Sequence, residues 1–174
     1  MMLFALMGPA LVWAAEPVIQ FTGEVPTLTI GKQIAILEDK TNNLRLQDVM
    51  SSGSFTASVT DNPNLGVSTS SFWIRFRLQN SSGRSHLLLV LGSPLTDEAT
   101  LYSVSTDGSI SEQKISESLP FSSRKHQSRN YLFDLDAGTE VRTYYIRIKA
   151  ASKYNYLLQL LRSRLCSNQI RLQT

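Results

Sequence analysis

From Val18 onward, short apolar stretches of four to eight residues alternate with clusters of Gly, Ser, Asn, Asp and Pro. This spacing is typical of an all-β sandwich or barrel, because each apolar stretch suits a strand and each polar cluster suits a turn. Helical spacing of apolar residues occurs convincingly in one short segment, residues 43–50. The pattern therefore predicts an all-β fold with one short helix.

Residues 72–79 show the clearest period of two in the chain. Successive side chains of a strand point to opposite faces, so one face of this predicted strand is apolar and belongs to the core. The opposite face carries an indole ring, two guanidinium groups and an amide. The apolar face consists of Phe72, Ile74, Phe76 and Leu78, and the polar face of Trp73, Arg75, Arg77 and Gln79.

Further strands are predicted before and after this one. Residues 87–91 are apolar at every position, which is typical of a central strand with both faces buried. That strand begins at His86. The remaining predicted strands are two or three within residues 18–36 and one each at 98–104, 130–135, 141–149 and 157–161.

The first 15 residues are uncharged and apolar, as in the apolar region of a secretory signal peptide. Small side chains at Val12 and Ala14 predict cleavage after Ala14. No Lys or Arg precedes Lys32, so either the true start lies upstream or the signal is weak; a buried N-terminal helix is the alternative. We expect a signal peptide at 1–14, a lead-in at 15–27, a sandwich domain at 28–160 and export to the periplasm or beyond.

The net charge of +3 comes from the end of the chain. Three of the 17 basic residues lie in the last 13 positions, and the other basic residues match the 14 carboxylates. Nucleic-acid binding would require basic residues clustered on the folded body, so we expect no such partner. The single cysteine, Cys166, cannot form an internal disulfide, which is compatible with a bacterial periplasm.

Residues 162–174 show neither sustained strand periodicity nor a helix cap, and we predict an irregular tail at 161–174. Either this terminus frays, or these residues follow a break in the coding frame. Before the tail, no uncharged run reaches the roughly 18 residues that a membrane-spanning helix needs.

Catalytic motifs are scarce. The two histidines, His86 and His126, lie 40 residues apart, and HExxH, GxSxG, CxxC and a phosphate-binding glycine loop are absent. We expect His126 to be an exposed loop residue. The sequence predicts neither an enzyme nor a cofactor or metal site.

The polar face of strand 72–79 is the candidate ligand-binding surface. An aromatic ring offers an apolar platform for the C–H face of a sugar, and arginines donate paired hydrogen bonds to hydroxyls or carboxylates. Alternatively, Trp73 packs under a loop and the arginines are solvated. Tyr145 and Arg147 would extend the surface if their strands share the sheet. The predicted site residues are Trp73, Arg75, Arg77, Gln79, Tyr102 and Arg124.

An ordered set of segments runs through residues 28–160. It consists of residues 44–50, Phe55, 64–66, FWIRFRLQN at 72–80, 87–89, 94–97, 101–102, 120–121, Arg124, 130–133 and 145–148. Together these segments resemble the type-two extracellular sensor domain of bacterial seven-transmembrane receptors with diverse intracellular signalling modules.

This resemblance implies a jelly-roll-like sandwich similar to carbohydrate-binding modules, acting as an extracytoplasmic sensor for a carbohydrate or related small molecule. In the family a transmembrane bundle and an output domain follow, whereas residues 161–174 are polar and basic here. We therefore expect a receptor fragment that contacts a membrane only through a missing downstream segment. The alternatives are a free-standing periplasmic carbohydrate-binding module or a protein-interaction module, and the oligomeric state stays open.

Overall fold

A computed structural model of the chain describes residues 17–66, 68–92, 96–149 and 154–162. The predicted signal peptide and most of the predicted tail lie outside these ranges. The described residues form thirteen strands, a helix and two 3₁₀ turns: β1 (Val18–Phe21), β2 (Thr27–Thr29), a 3₁₀ turn (Gly31–Gln33), β3 (Ala35–Asp39), α1 (Leu46–Met50), β4 (Thr56–Ala57), β5 (Asn64–Gly66), β6 (Ser71–Asn80), β7 (His86–Gly92), β8 (Glu98–Val104), β9 (Ile110–Ser116), a 3₁₀ turn (Phe121–Ser123), β10 (Tyr131–Asp136), β11 (Arg142–Lys149), β12 (Tyr154–Asn155) and β13 (Leu157–Arg162).

The larger sheet has seven strands, with β6 and β11 at its centre. Its order is β4-β3-β6-β11-β8-β9, and β1 joins β6 on the same side as β3. Along this side, β3 pairs with residues 71–75 of β6 and β1 pairs with residues 77–80. The ten-residue strand β6 is therefore flanked on both sides. The β1–β6 pair is parallel, and the other pairs of this sheet are antiparallel.

The smaller sheet contains four antiparallel strands in the order β10-β7-β13-β2. Strand β7 has a neighbour on each side, which confirms the central position predicted from its apolar sequence. A separate two-stranded ribbon pairs β12 with β5. The predicted all-β sandwich with one short helix is confirmed.

The main core lies between the two sheets. The four inward residues of β6 are buried as the alternation predicted, with at most 5% of each side chain exposed. Phe76 stacks on Tyr144 of β11 with ring centroids 5.1 Å apart. Each large apolar side chain buried here contributes about 1.5–3 kcal/mol through removal from water. The strand face that builds the core is thus the one read from the sequence, Phe72, Ile74, Phe76 and Leu78.

A second, smaller apolar cluster covers part of the outer face of the larger sheet. Leu46 and Val49 of α1 pack there against Leu37, Trp73 and Tyr145. The polar side of β6 is therefore partly covered by another layer of chain.

Helix α1 is shorter than the predicted segment 43–50, because the residues before it are held in a loop. The amide of Leu44 donates a hydrogen bond to Asp39 Oδ2 at 3.0 Å, outside any helical pattern. The amide of Arg45 donates to Asp48 Oδ2 at 2.8 Å and so closes the helix N-terminus. The helix then begins at Leu46.

Strand β9 was not predicted. Its sequence, ISEQKIS, contains apolar residues at Ile110 and Ile115, and this spacing does not give a period of two. As an edge strand with mostly exposed side chains it needs no continuous apolar face. Strand β1 lies within residues 18–36, where two or three strands are predicted, and also within the predicted lead-in 15–27; the structure places it in the larger sheet.

Candidate ligand-binding site

A cavity of about 680 Å³ opens on the outer face of the larger sheet, and we call it the sheet-face cavity. Its floor comes from strands β6, β11, β8 and β9. Its wall comes from residues 42–45, which we call the Asn42 loop, and from the first residues of α1. The lining residues are Asn42, Asn43, Leu44, Arg45, Leu46, Gln47, Trp73, Tyr102, Ile110, Glu112 and Arg147.

Strand register explains why the floor residues meet. The even-numbered side chains of β6 fill the core, so the odd-numbered ones point to the outer face. Arg147 of β11 is paired with Trp73 of β6, and Tyr102 of β8 is paired with Glu112 of β9. Tyr145 of β11 links the two pairs, because it lies opposite Tyr102. Residues paired across strands share a face, so these side chains stand on one surface.

Two aromatic rings form the centre of the floor. Trp73 and Tyr102 stack with ring centroids 5.8 Å apart and an interplanar angle of 24°. The guanidinium carbon of Arg147 lies 5.9 Å from the Trp73 ring centroid, within cation–π range. Trp73 is 1% exposed, whereas Tyr102 is half-buried. Tyr102 is therefore the ring that a molecule in the cavity can reach.

The wall of the cavity is held by the buried carboxylate of Asp39. Its Oδ1 accepts hydrogen bonds from the amide and hydroxyl of Thr41 at 3.1 and 2.8 Å. Asn42 adopts a φ of 60°, in the left-handed region that asparagine tolerates better than most residues. The hydroxyl of Ser71 donates to Asn42 Oδ1 at 2.7 Å. These contacts fix the Asn42 loop against the sheet.

Charged groups surround the aromatic pair. Arg147 Nη2 donates a hydrogen bond to the backbone oxygen of Asn42 at 2.7 Å, which joins wall to floor. Burial, and after it the negative charge of Glu112, raises the pKa of Tyr102 above its ordinary value, although Arg147 opposes the shift. Tyr102 is therefore a neutral phenol at neutral pH and can both donate and accept a hydrogen bond.

Two buried nitrogen atoms of the floor have no hydrogen-bond partner among the described residues. They are Nε1 of Trp73 and Nε of Arg147. An unpaired buried donor costs free energy, so native structures keep few of them. These two donors are therefore available to an acceptor that enters the floor of the cavity.

The structure brings two of the predicted site residues, Trp73 and Tyr102, into this cavity. The strands of Trp73 and Tyr102 lie in the larger sheet on either side of β11, so Arg147 of β11 stands between the two residues. A shared sheet was the condition for Arg147 to extend the predicted surface. Trp73, however, packs beneath α1 and is not an exposed platform. Its environment is therefore closer to the alternative prediction, in which Trp73 packs under another segment of the chain.

Arg75, Arg77 and Gln79 stand further along the same face of β6 and do not line the cavity. The guanidinium carbon of Arg75 lies over the ring of Phe55, 4.0 Å from its centroid. Gln79 Nε2 donates a hydrogen bond to the backbone oxygen of Thr139 at 2.9 Å. Arg77 is half-buried between these two positions.

Arg124 lies apart from this surface, so the structure does not bring it together with Trp73. It follows the second 3₁₀ turn, in the connection between β9 and β10, and lines a cavity of about 290 Å³ that we call the edge cavity. Its guanidinium carbon lies 4.9 Å from the ring centroid of Tyr131 and 5.4 Å from that of Phe121. Its Nη1 donates to the backbone oxygen of Ser128 at 3.3 Å.

His126 also lines the edge cavity, and it is not the exposed loop residue that we predicted. Its side chain is 23% exposed, and its Nε2 lies 3.1 Å from Asp134 Oδ2. Lys125 Nζ lies 2.9 Å from the same oxygen. Burial raises the pKa of Asp134, but the hydrogen bonds and charges of Lys125 and His126 outweigh it and hold that pKa below its ordinary value.

Sequence reasoning missed the wall of the sheet-face cavity and two residues of its floor, Ile110 and Glu112. The apolar spacing of residues 43–50 predicted a helix there, but such spacing does not indicate that the segment lines a cavity. The alternation of Glu112 and Lys114 is the feature that could have indicated a strand face in β9.

Within the described ranges, no group of three or more His, Cys, Asp and Glu residues could hold a metal ion. In the same part of the chain, no helix is both long enough and apolar enough to cross a membrane.

Residues 31–162 match the family model described as 7TMR-DISM extracellular 2. The chain belongs to this family. The resemblance inferred from the ordered segments is thereby confirmed. A 7TMR-DISM extracellular 2 domain is an extracellular sensor domain of seven-transmembrane receptors, which gives this chain an extracytoplasmic sensor role. Comparison with curated proteins found no matching sequence.

Proposed function

We propose that this 7TMR-DISM extracellular 2 domain is the ligand-binding part of a bacterial signal-transduction receptor. Its ligand is a carbohydrate or a similar small molecule, bound in the sheet-face cavity. The observation that carries this proposal is the joint presence of a reachable aromatic ring, Tyr102, and three charged side chains, Arg45, Glu112 and Arg147, in one cavity.

The chemistry of this lining suits a sugar. A pyranose has an apolar C–H face that can lie against Tyr102, and hydroxyl groups that exchange hydrogen bonds with charged and amide side chains. The volume of about 680 Å³ falls in the range of small-molecule sites. Arg45 and Arg147 outnumber Glu112 in the lining, so an acidic sugar is favoured over an amino sugar.

The proposed signal is a population shift. A molecule in the cavity would contact both the Asn42 loop and the sheet, and would favour the arrangement in which the loop lies close to the sheet. No chemical step is required of the domain, in keeping with a family of sensor domains that is not a known enzyme family.

The fluorescence of Trp73 offers a direct test, because the chain contains two tryptophans, Trp13 and Trp73. In a Trp13→Phe variant, the remaining indole reports from the cavity floor. Titration with galacturonate, galactose and galactosamine should give a saturable change in emission, at the lowest concentration for galacturonate. No change with any of the three sugars in a folded protein would contradict carbohydrate binding.

Two substitutions assign the binding to this cavity. Tyr102→Leu should weaken the binding of all bound sugars, whereas Arg45→Gln should weaken that of galacturonate most. Lys125→Gln, on an exposed lysine of the edge cavity, is the matched control and should leave the titration unchanged. Equal effects of all three substitutions would mean that the signal does not come from the sheet-face cavity.

A further inference from the structure

Strand β9 forms one edge of the larger sheet, and two hydrogen bonds establish which of its backbone groups point outward. The Ser105 amide donates to the Ser109 oxygen at 2.9 Å, and the Glu117 amide donates to the Asp97 oxygen at 2.9 Å. Hydrogen-bonded and non-hydrogen-bonded pairs alternate along an antiparallel ladder. Odd-numbered residues of β9 therefore bond to β8, and outward-facing backbone groups belong to the even-numbered residues Ile110, Glu112, Lys114 and Ser116.

In the part of the chain that the structure describes, no strand pairs with the outer side of β9. At the end of the strand, the Ser116 oxygen accepts a hydrogen bond from the Leu119 amide at 3.3 Å. The seven residues of β9 contain no proline, and their register with β8 is regular throughout. A row of unpaired amide and carbonyl groups on a regular edge is a template for pairing with another strand.

The sequence of β9 is complementary to itself around Gln113. When two copies pair antiparallel with Gln113 opposite Gln113, Glu112 of each copy lies opposite Lys114 of the other. Both residues have outward-facing backbone groups, so each such pair can also exchange backbone hydrogen bonds. Their side chains lie on the same outer face, where opposite charges directly across a ladder stabilise the pairing.

The two side chains are available for this pairing. Lys114 Nζ lies 2.7 Å from Glu98 Oε2. The Lys114 side chain is nevertheless 51% exposed, and its ammonium group has three hydrogen-bond donors. Glu112 is exposed and has no ion-pair partner among the described residues. A second copy would bring a lysine to Glu112 and a second carboxylate to Lys114.

We propose that β9 pairs with β9 of a second copy of this chain, in the antiparallel register centred on Gln113. The two larger sheets then join into one continuous sheet. Its twofold axis runs perpendicular to the sheet, so both sheet-face cavities open on the same side. This inference does not depend on the identity of a ligand, because it rests on β9 alone.

Charge reversal tests the register in the full chain without any sugar. Sedimentation equilibrium over a range of concentrations should show a dimer. Glu112→Lys and Lys114→Glu should each raise its dissociation constant roughly tenfold, since two attractive pairs become repulsive. The double variant Glu112→Lys/Lys114→Glu should restore the dimer, and an equimolar mixture of the two single variants should form mixed dimers.

Cross-linking provides a second, geometric test. Two Gln113→Cys residues, in a Cys166→Ser background, would face each other in a non-hydrogen-bonded pair about 4.5 Å apart at Cα, which suits a disulfide. Ser111→Cys is the matched control, because its two copies would be four residues out of register, about 13 Å apart. Oxidation with copper phenanthroline should cross-link the first variant and not the second.

Three results would overturn the proposal. One is a monomer at every concentration. Another is a dimer that neither single charge reversal weakens, and the third is cross-linking of the Ser111→Cys variant as efficient as that of Gln113→Cys. Circular dichroism of each variant establishes that a lost dimer does not reflect a lost fold.

Discussion

Arg147 Nη2 donates a hydrogen bond to the backbone oxygen of Asn42 at 2.7 Å, across 105 residues of sequence. The bond connects β11, at the centre of the larger sheet, with the loop that forms the wall of the sheet-face cavity. It is a charge-assisted bond, which is stronger than a bond between neutral groups. The same guanidinium group lies beside Trp73, so the Arg147 side chain contacts both the wall and the floor of the cavity.

Arg147→Met should release the Asn42 loop. Loss of a hydrogen bond from a charged donor should lower the free energy of unfolding by about 1.5–3 kcal/mol, measured by urea denaturation. Amide hydrogen exchange in the Asn42 loop should become faster, because the loop would open locally. Lys149→Met, on an exposed residue of the same strand, is the control and should change stability by less than about 0.5 kcal/mol. Unchanged exchange in Arg147→Met would show that other contacts hold the loop.

Trp73→Ala should destabilise the domain far more than Arg75→Ala. Trp73 is 1% exposed and packs with α1, so its truncation should cost about 3–5 kcal/mol. Arg75 is partly exposed, and its contact with Phe55 accounts for about 0.5–1 kcal/mol of what its truncation removes. Urea denaturation followed by circular dichroism compares the two variants. A loss below about 1 kcal/mol for Trp73→Ala would mean that its ring is not part of a packed layer.

The core could be read from the sequence because one face of β6 is buried continuously between two sheets. Burial at Phe72, Ile74, Phe76 and Leu78 requires an apolar residue at every second position, and this is a local pattern. The central position of β7 could also be predicted from the sequence, because burial on both faces replaces the alternation of apolar and polar residues with a continuous apolar run. Periodicity thus reports which side chains enter the core.

Periodicity does not report what covers the other face. The alternation of β6 predicts correctly that the Trp73 side chain points away from the main core. Whether α1 covers that side chain depends on contacts between segments that are distant in the chain. The bond between Arg147 and Asn42 is of this kind, and it determines the wall of the cavity. Arg124 was misplaced for a related reason, because its position in the connection between β9 and β10 carries no strand register.

Alkaline pH should destabilise the domain through its buried tyrosines. Burial is the main cause that raises the pKa values of Tyr102, Tyr131 and Tyr144 above the ordinary value of 10.0. The stability that depends on these neutral phenols is complete below pH 10.0. It is lost as the pH rises from 10.0 through the folded-state values, because the unfolded chain ionises first.

Phenolate absorbance and circular dichroism, recorded on the same samples, check this expectation. Ionisation of the buried tyrosines should accompany unfolding, and Tyr144→Phe should make the loss of stability above pH 10 less steep. Complete phenolate formation near pH 10 in a protein that is still folded would contradict it.

Acid should act on the domain through Asp134. The Lys125 and His126 contacts lower the pKa of this carboxyl below 3.8 in the folded state, although burial opposes the shift. A lowered folded-state pKa contributes stability above pH 3.8, and that contribution is lost as the pH falls from 3.8 through the folded-state value. Asp134→Asn should therefore lower stability at neutral pH and flatten its decline in acid.

Urea midpoints measured from neutral pH to below 3.8 separate this contribution from general acid denaturation. Glu24→Gln, on an exposed carboxyl that belongs to no ion pair among the described residues, is the control and should keep the shape of the wild-type curve. If Asp134→Asn and Glu24→Gln give the same acid dependence, the contacts of Lys125 and His126 with Asp134 do not stabilise the folded chain. If Asp134→Asn alone flattens the curve, the carboxylate ties β10 to the connection that covers the edge cavity, and that connection should open first in acid.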